Sequence, residues 1–476
     1  MKILFAASEA APFLKTGGLG DVAAALPKAL SAAPHTEVCV FLPYYKAIKT
    51  NPAFEMELVA EFNVPLGWRN QYCGLFRAIG RKKKLQYYFI DNEYYFYRDA
   101  AYGYNDDGER FAYFSKAVLE SLQHLNWYPD VIHANDWQTA LIPVFLRAFY
   151  QELESYQPIR TVFSIHNMEY QGKESYFFIQ DCLGLPYDWH GTMQFDGCTN
   201  FMKAAINAAD HISTVSRTYA TEIQTPYFAH GLHDVLRHHN YKLSGVVNGI
   251  DVDVFNPETD PLIPVNFSAS DVSGKAENKR QLQEKLGLPQ RAAVPMIIMI
   301  TRLVGHKGVD LIQAVMDDLM GEDLQLVVIG TGEPRYEYMF RHYAGMFPEK
   351  VSANIVFDNT LAHQAYAAAD MVLMPSKQEP CGLTQLIAMR YGTVPIVRET
   401  GGLYDTVPAY NGETGEGLGF TFQTYNAHDM LDAIRRAIGL YHNPDLWAGL
   451  RLSDLKNDSS WDRSVQEYWQ IYRSVV

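Results

Sequence analysis

The sequence lacks most of the features by which function classes announce themselves. Its five cysteines, Cys39, Cys73, Cys182, Cys198 and Cys381, are odd in number and scattered, and no pair has the close spacing of a zinc or redox motif. This argues against a disulfide framework and predicts free thiols in a reducing compartment. No apolar run reaches membrane-spanning length. No signal-peptide pattern opens the chain, because Lys2–Ala7 already reads as a buried strand leading into a glycine loop. A cytoplasmic protein is expected. Positive charge is also short, with 40 Lys and Arg against 54 Asp and Glu and a net charge of −14. Neither nucleic acid nor an anionic membrane is expected as a partner. The one dense basic run, Arg81–Lys84, lies between two aromatic strand-like stretches and reads as a solvated hairpin turn. An anionic substrate would have to be held by a few local cations.

What is present is globular and repetitive in rhythm. A chain of 476 residues, 48% hydrophobic and 20% charged, suits two or three domains with large cores. Apolar runs without alternation, as expected of strands buried on both faces, occur at Ile3–Ala7, Val38–Leu42, Val131–Ala134, Thr161–Ile165 and His211–Val215. They recur at Met296–Thr301, Leu324–Ile329, Asn354–Phe357, Met371–Met374 and Thr393–Val397. Helical stretches fall between them, among them Phe111–Leu125, Gln138–Tyr150, Lys307–Leu319 and Leu383–Tyr391. This alternation predicts doubly wound α/β architecture. It is interrupted at Asn248-Gly249-Ile250-Asp251, which reads as a linker between two α/β domains. The aromatic stretch Glu61–Tyr104 reads as a hairpin-rich decoration of the first. Val465, Tyr468, Trp469, Ile471 and Tyr472 mark a final amphipathic helix that needs a surface to cover.

Open α/β sheets bind ligands where strands run into helices. The first such loop contains Lys15-Thr16-Gly17-Gly18-Leu19-Gly20-Asp21: glycines for close approach, helix-start N–H groups and a lysine suited to phosphate. It matches neither the Walker pattern nor GxGxxG. The clusters His133–Gln138 and His166–Gly172 end two neighbouring strands and point to a sugar site. In the second half Arg302 and Lys307 can bridge a diphosphate. Gly330 leaves room for a nucleotide against backbone, and Pro375–Thr384 offers helix-end donors beside Glu379, an acceptor for sugar hydroxyls. Taken singly, each is equally a surface ion pair or a helix cap. Together, all at strand ends, they point to a ligand. Asp251-Val252-Asp253 has the DxD form of a metal site but lies in the linker, so no metal is expected.

Together, Lys-Thr-Gly-Gly-Leu-Gly-Asp at 15–21, His-Asn at 166–167 and Asn-Gly-Ile-Asp at 248–251, with Arg-Leu…Lys-Gly at 302–308 and Glu-Pro-Cys-Gly-Leu-Thr-Gln at 379–385, resemble bacterial glycogen synthases and plant starch synthases. The resemblance spans nearly the whole chain. It implies the GT-B fold, two Rossmann-like domains facing across a deep cleft. Residues 1–247 would form the acceptor-side domain and 248–460 the nucleotide-sugar domain, with 461–476 a helix crossing back to the first. It implies transfer of α-glucose with retention from ADP-glucose to the non-reducing end of an α-1,4-glucan, without metal or other cofactor. Lys15 corresponds to the phosphate-contacting lysine, with Gly17, Gly18 and Asp21 in its loop. Asp136, His166 and Asn167 would face the glucose, as would Asn248 at the hinge. Arg302 and Lys307 would clamp the diphosphate, and Glu379, Cys381, Gly382, Leu383 and Thr384 would grip the sugar. Gly330 would back the nucleotide and Phe357 the adenine. Residues on both domains imply closure around the donor.

Departures are specific. Many relatives have His where this chain has Asn135 and Gln138, which touches acceptor and sugar contacts more than reaction class. Neighbouring families carry a second Glu eight residues after the first, where this chain has Ile387, so a two-glutamate mechanism is not expected. Two other readings stay open: another GT-B enzyme, such as a sucrose- or trehalose-phosphate synthase, and an inactive glucan-binding homologue.

Overall fold

Short apolar runs separated by helices satisfy their backbone by pairing in parallel, since a crossover helix returns the chain to the same end of the sheet. The computed structural model, which describes residues 1–80 and 84–476, shows this twice. Met1–Asn248 and Trp461–Val476 form one compact unit, and Gly249–Ser460 another.

The first unit is built on a nine-stranded sheet. Its order is Leu243–Gly245, His211–Thr214, Arg160–Ile165, Val131–Asn135, Lys2–Ala6, Glu37–Pro43, Leu85–Asp91, Arg69–Ala78 and Met56–Leu66. The first seven run parallel, with Ile3 between Val38 and Val131 at the centre. The aromatic insertion does not merely decorate this sheet. Leu85–Asp91 pairs in parallel with Glu37–Pro43, and two antiparallel strands continue the same sheet outward. Backbone pairing thus absorbs a segment whose turns suggested a separate hairpin. The expected turn at Arg81–Lys84 falls largely on 81–83, outside the described residues. Gln138–Tyr150 is not one helix but a 3₁₀ turn, a short helix around Pro143 and a π-helical end. The helix Gly18–Ser31 runs through Pro27 without ending there.

The final helix, Asp462–Val475, packs on this unit. Val465, Tyr468, Trp469 and Tyr472, at helical spacing, are all buried. The Tyr472 hydroxyl lies 2.8 Å from His133 Nδ1, and His133 Nε2 lies 2.5 Å from Ser164 Oγ. Ser164 in turn bonds the Ser213 hydroxyl, so a polar chain crosses three buried strands from the helix inward. Burial pushes the His133 pKa down to about 3, so the ring is neutral and donates from one nitrogen while accepting at the other.

The second unit holds a six-stranded, all-parallel sheet. Its order is Val351–Asn354, Gln325–Ile329, Met296–Ile300, Met371–Met374, Val394–Arg398 and Phe420–Phe422. The strand expected at 354–357 lies three residues earlier, because Val351–Asn354 makes the ladder with Leu326–Ile329, while Val356 and Phe357 are exposed. The expected helix from Lys307 is broken at Val315 into Val309–Ala314 and Met316–Gly321. Among the described residues no helix is long and apolar enough to cross a membrane.

Because His133 has both ring nitrogens engaged in a dry environment, Tyr472→Phe should leave one unpaired. We expect a loss of about 1–3 kcal/mol in the stability of the first unit. Urea unfolding followed by tryptophan fluorescence will measure it, and an unchanged midpoint would show that the contact carries no net stability.

Candidate functional site

In the first unit the loop after Lys2–Ala6 is organised by a residue that its motifs do not reveal. Glu9, 3% exposed, accepts hydrogen bonds from Thr16 N at 2.7 Å, Thr16 Oγ1 at 2.5 Å, Gly17 N at 3.2 Å and Gly20 N at 3.1 Å. The sequence reading gives the N–H groups of this loop to a phosphate. The structure gives three of them to an internal carboxylate. What the loop still presents is Lys15, whose ammonium is 2.8 Å from Asp21. A Cβ on Gly17 would meet nothing nearer than 3.7 Å, so packing does not demand glycine there, whereas one on Gly20 would press on Lys15 at 3.1 Å. The only hint of Glu9 in the sequence is a lone carboxylate among small and apolar residues.

Next along the sheet, Asn135 ends Val131–Asn135 and donates through Nδ2 to Ala6 O at 3.0 Å and His133 O at 3.2 Å. Its Oδ1 therefore accepts, and His166 Nε2, 2.9 Å away, carries the proton. Burial lowers the His166 pKa to about 4, leaving a neutral ring with Nδ1 as an acceptor. Asp136 sits at φ 57°, a conformation that costs a non-glycine residue on the order of 1–3 kcal/mol. There its Oδ1 accepts from His166 N at 2.7 Å and Asn167 N at 3.3 Å. Burial dominates its ionisation and raises the pKa to about 7, with Glu9 adding to the rise. Asn167 Oδ1 caps the following turn at Glu169 N. Among the described residues, Asn248 Oδ1 and Gln138 Oε1 are buried with no hydrogen-bond partner, and are acceptors open to a ligand.

In the second unit a pocket of about 50 Å³ opens at the carboxyl ends of Met296–Ile300 and Met371–Met374. Thr301, Lys307, Ser376, Glu379, Gly382, Leu383 and Thr384 line it over an apolar floor. Lys307 Nζ meets the two carboxylate oxygens of Glu379 at 2.9 and 2.7 Å, and Ser376 Oγ donates to the same carboxylate at 2.8 Å. The lysine and glutamate side chains are only 18% and 9% exposed. Arg302, by contrast, is exposed on the loop after Met296–Ile300. Cys381 is buried, its carbonyl held by Gln385 Nε2 at 3.0 Å. Gly330 has a reason of its own, since a Cβ there would lie 1.8 Å from Thr301 O where two strand ends touch. Phe357, 77% exposed, stands beyond the outermost strand end. Asp251-Val252-Asp253 forms a local turn in which Asp253 N donates to Asp251 Oδ1 at 3.0 Å.

The predicted residues thus gather within each unit. Lys15 pairs with Asp21, and Asp136 with His166 and Asn167. Lys307 and Glu379 share one pocket with Gly382, Leu383 and Thr384. Sequence reasoning missed Glu9 and Ser376 as organisers, and the role of Asn135 in fixing the His166 tautomer.

Comparison with known proteins agrees along the whole chain. Residues 2–238 match the family model described as the starch synthase catalytic domain, and 279–445 match glycosyl transferases group 1. A glycogen synthase of Desulforamulus reducens is 48% identical over all of this chain and 99% of its own length. One of Bacillus cereus is 49% identical, with 100% of both chains covered. Among solved structures, the catalytic domain of starch synthase IV from Arabidopsis thaliana, bound to ADP and acarbose, superposes with a TM-score of 0.92. It is 34% identical, over 100% of this chain and 99% of that one. Sucrose-phosphate synthase from Thermosynechococcus elongatus, at 16% identity and TM-score 0.62 over 99% and 98% of the two chains, shares the fold. The chain belongs to the starch and glycogen synthase family of GT-B glycosyltransferases.

Proposed function

We propose that this glycosyltransferase moves α-glucose, with retention, from ADP-glucose to the non-reducing end of an α-1,4-glucan in the cytoplasm. The observation that carries the donor side is the Lys307–Glu379 pair in the strand-end pocket, with Arg302 on the neighbouring loop. The starch synthase structure bound to ADP and acarbose supports a nucleotide and a glucan-like ligand for this fold. In the transfer the bond from glucose C1 to the diphosphate oxygen breaks and one from C1 to the acceptor oxygen forms. The acceptor proton passes to the departing phosphate. Charge grows on that phosphate, where Arg302 and the N–H of Lys307 not engaged by Glu379 would stabilise it. Glu379 would accept from sugar hydroxyls, with Cys381 to Thr384 shaping the grip, Gly330 near the nucleotide and Phe357 against the adenine. Lys15 would reach the phosphate, and Asp136, neutral His166, Asn167 and Asn248 would serve the glucose. Nothing observed favours a sugar-phosphate acceptor or an inactive binding protein.

These cations make a metal unnecessary in this reading. Dialysis against EDTA should leave turnover of ADP-glucose with glycogen unchanged, and loss restored by Mg²⁺ or Mn²⁺ would overturn that.

Arg302→Ala and Lys307→Ala should each lower kcat on the order of a hundredfold. Their effects on the fold should differ. Arg302 is exposed, so its loss should leave the melting temperature unchanged. Removing Lys307 strands a mostly buried Glu379 carboxylate and should cost about 1–3 kcal/mol. Near-normal turnover in both would remove the clamp. Equal melting temperatures would show that the ion pair is not structural.

For Asp136 the folded pKa of about 7 lies above the unfolded value, so its contribution to stability is present at low pH and lost as pH rises through 7. His133 and His166, with folded values of about 3 and 4, act oppositely and lose theirs as pH falls below the unfolded value of about 6.5. Asp136→Asn cancels only the first term. Relative to the parent it should gain stability between pH 5 and pH 8, on the order of 2–4 kcal/mol, while losing activity. Paired denaturant melts at the two pH values will show it, and a pH-independent difference would mean an ionised Asp136 throughout.

A further inference from the structure

Among the exposed aromatic side chains, Trp68 is held fixed in the open by its neighbours. Trp68 is 77% exposed, in the two-residue turn Gly67-Trp68 between Met56–Leu66 and Arg69–Ala78. Its indole N–H donates to Asp181 Oδ1 at 3.3 Å, and the Arg69 guanidinium lies over the ring at 4.5 Å. Arg69 is itself fixed by Asp181 O at 3.1 Å, by Glu109 at 3.1 Å and by Asp181 Oδ2 at 3.5 Å. The turn is clasped as tightly in its backbone. Gly67 has φ +56°, and a Cβ there would lie 2.6 Å from Asp181 O, while one on Gly184 would lie 2.8 Å from Gly67 Cα. Only glycine fits either contact, so the turn cannot retract without breaking them.

We propose that Trp68 is a second glucan-contact platform, engaging a long acceptor chain away from its reacting end; this rests on the glucan-transferring function proposed above. A fixed indole presents a flat apolar face, as the C–H face of a pyranose requires, and the exposed Asp181 carboxylate offers an acceptor at its rim. The charges around it are mutually paired, so the platform suits a neutral ligand rather than an ion. Its position suits a polymer. Gly74 pairs with Asp91, the last residue of its strand, so residues 69–73 run on past the carboxyl end of the parallel sheet, by about 17 Å. The strand Arg69–Ala78 lies three places from Lys2–Ala6, about 14 Å across the sheet. Trp68 thus stands at the same end of the sheet as the Lys15 and Asp136 loops but several sugar widths away. A long chain can reach it. A trisaccharide occupying the catalytic loops cannot.

The test compares Trp68→Ala and Trp68→Phe with the parent, using ADP-glucose with either glycogen or maltotriose as acceptor. For Trp68→Ala the KM for glycogen should rise about three- to tenfold, with kcat and the maltotriose KM unchanged. Trp68→Phe should recover part of the loss. Unchanged glycogen KM, or an equal rise for maltotriose, overturns the proposal. Native electrophoresis through glycogen-containing gels keeps the test independent of catalysis, since retardation of the parent should be reduced in Trp68→Ala. Equal retardation overturns the platform even if transfer is observed. Absence of transfer to any acceptor, with retardation still dependent on Trp68, would refute only the proposed reaction.

Discussion

Parallel pairing is the constraint from which both halves of the chemistry follow. In each unit the parallel strands share one direction, so the strand-to-helix loops that follow them emerge at the same end of the sheet. Lys15, Asp136 and His166 follow three adjacent strands of the first unit, and Lys307 and Glu379 follow two adjacent strands of the second. Residues 31 and 72 positions apart in sequence are thereby brought within hydrogen-bond reach, as His166 is to Asn135 and Lys307 to Glu379. The antiparallel extension ending at Trp68 obeys the same geometry in reverse, its turn pointing to the end from which the loops emerge.

In the proposed function a chain of net charge −14 would bind an anionic donor through a few cations, and the structure holds two of those cations in local pairs. Lys15 is held by Asp21 and Lys307 by Glu379, and Glu9 neutralises the N–H donors of its own loop. Such pairing fixes a flexible ammonium in one place, so less freedom would be lost on binding a phosphate, as the proposed function requires. The cost is that part of each cation's field is already spent. Arg302, exposed and with a planar fork of donors, is the cation best able to meet a phosphate oxygen through two hydrogen bonds.

The alternation of apolar runs and helices made the two α/β halves legible, because strands buried on both faces have no other way to read. Periodicity was equally clear in Val465, Tyr468, Trp469 and Tyr472, whose buried stripe covers the first unit. Pattern failed where burial and apolarity part company. Val356 and Phe357 continue an apolar run but lie beyond the ladder, and the aromatic insertion hid a strand that joins the main sheet. Motifs named Lys307 and Glu379 separately, yet nothing in their spacing says that they bond each other. Glu9 was invisible for a related reason. A carboxylate that takes three main-chain N–H donors and one threonine hydroxyl leaves no charged partner in the sequence to betray it.

The geometry around Asp136 shows how strain, burial and protonation are linked. The chain adopts a costly positive φ there, and in return the carboxylate turns back to collect the N–H groups of His166 and Asn167. Those two donors favour the ionised form, but burial disfavours it more, so the group titrates near neutrality instead of near 4. His166 beside it is held neutral by the same dryness and oriented by Asn135. In the proposed function the pair would offer sugar hydroxyls both donor and acceptor hydrogen bonds, with less negative charge near a phosphate than an ordinary carboxylate carries. In the proposed function, a sugar covering this site would raise the cost of ionising Asp136 further, so occupancy itself should favour the protonated, hydrogen-bond-donating carboxyl.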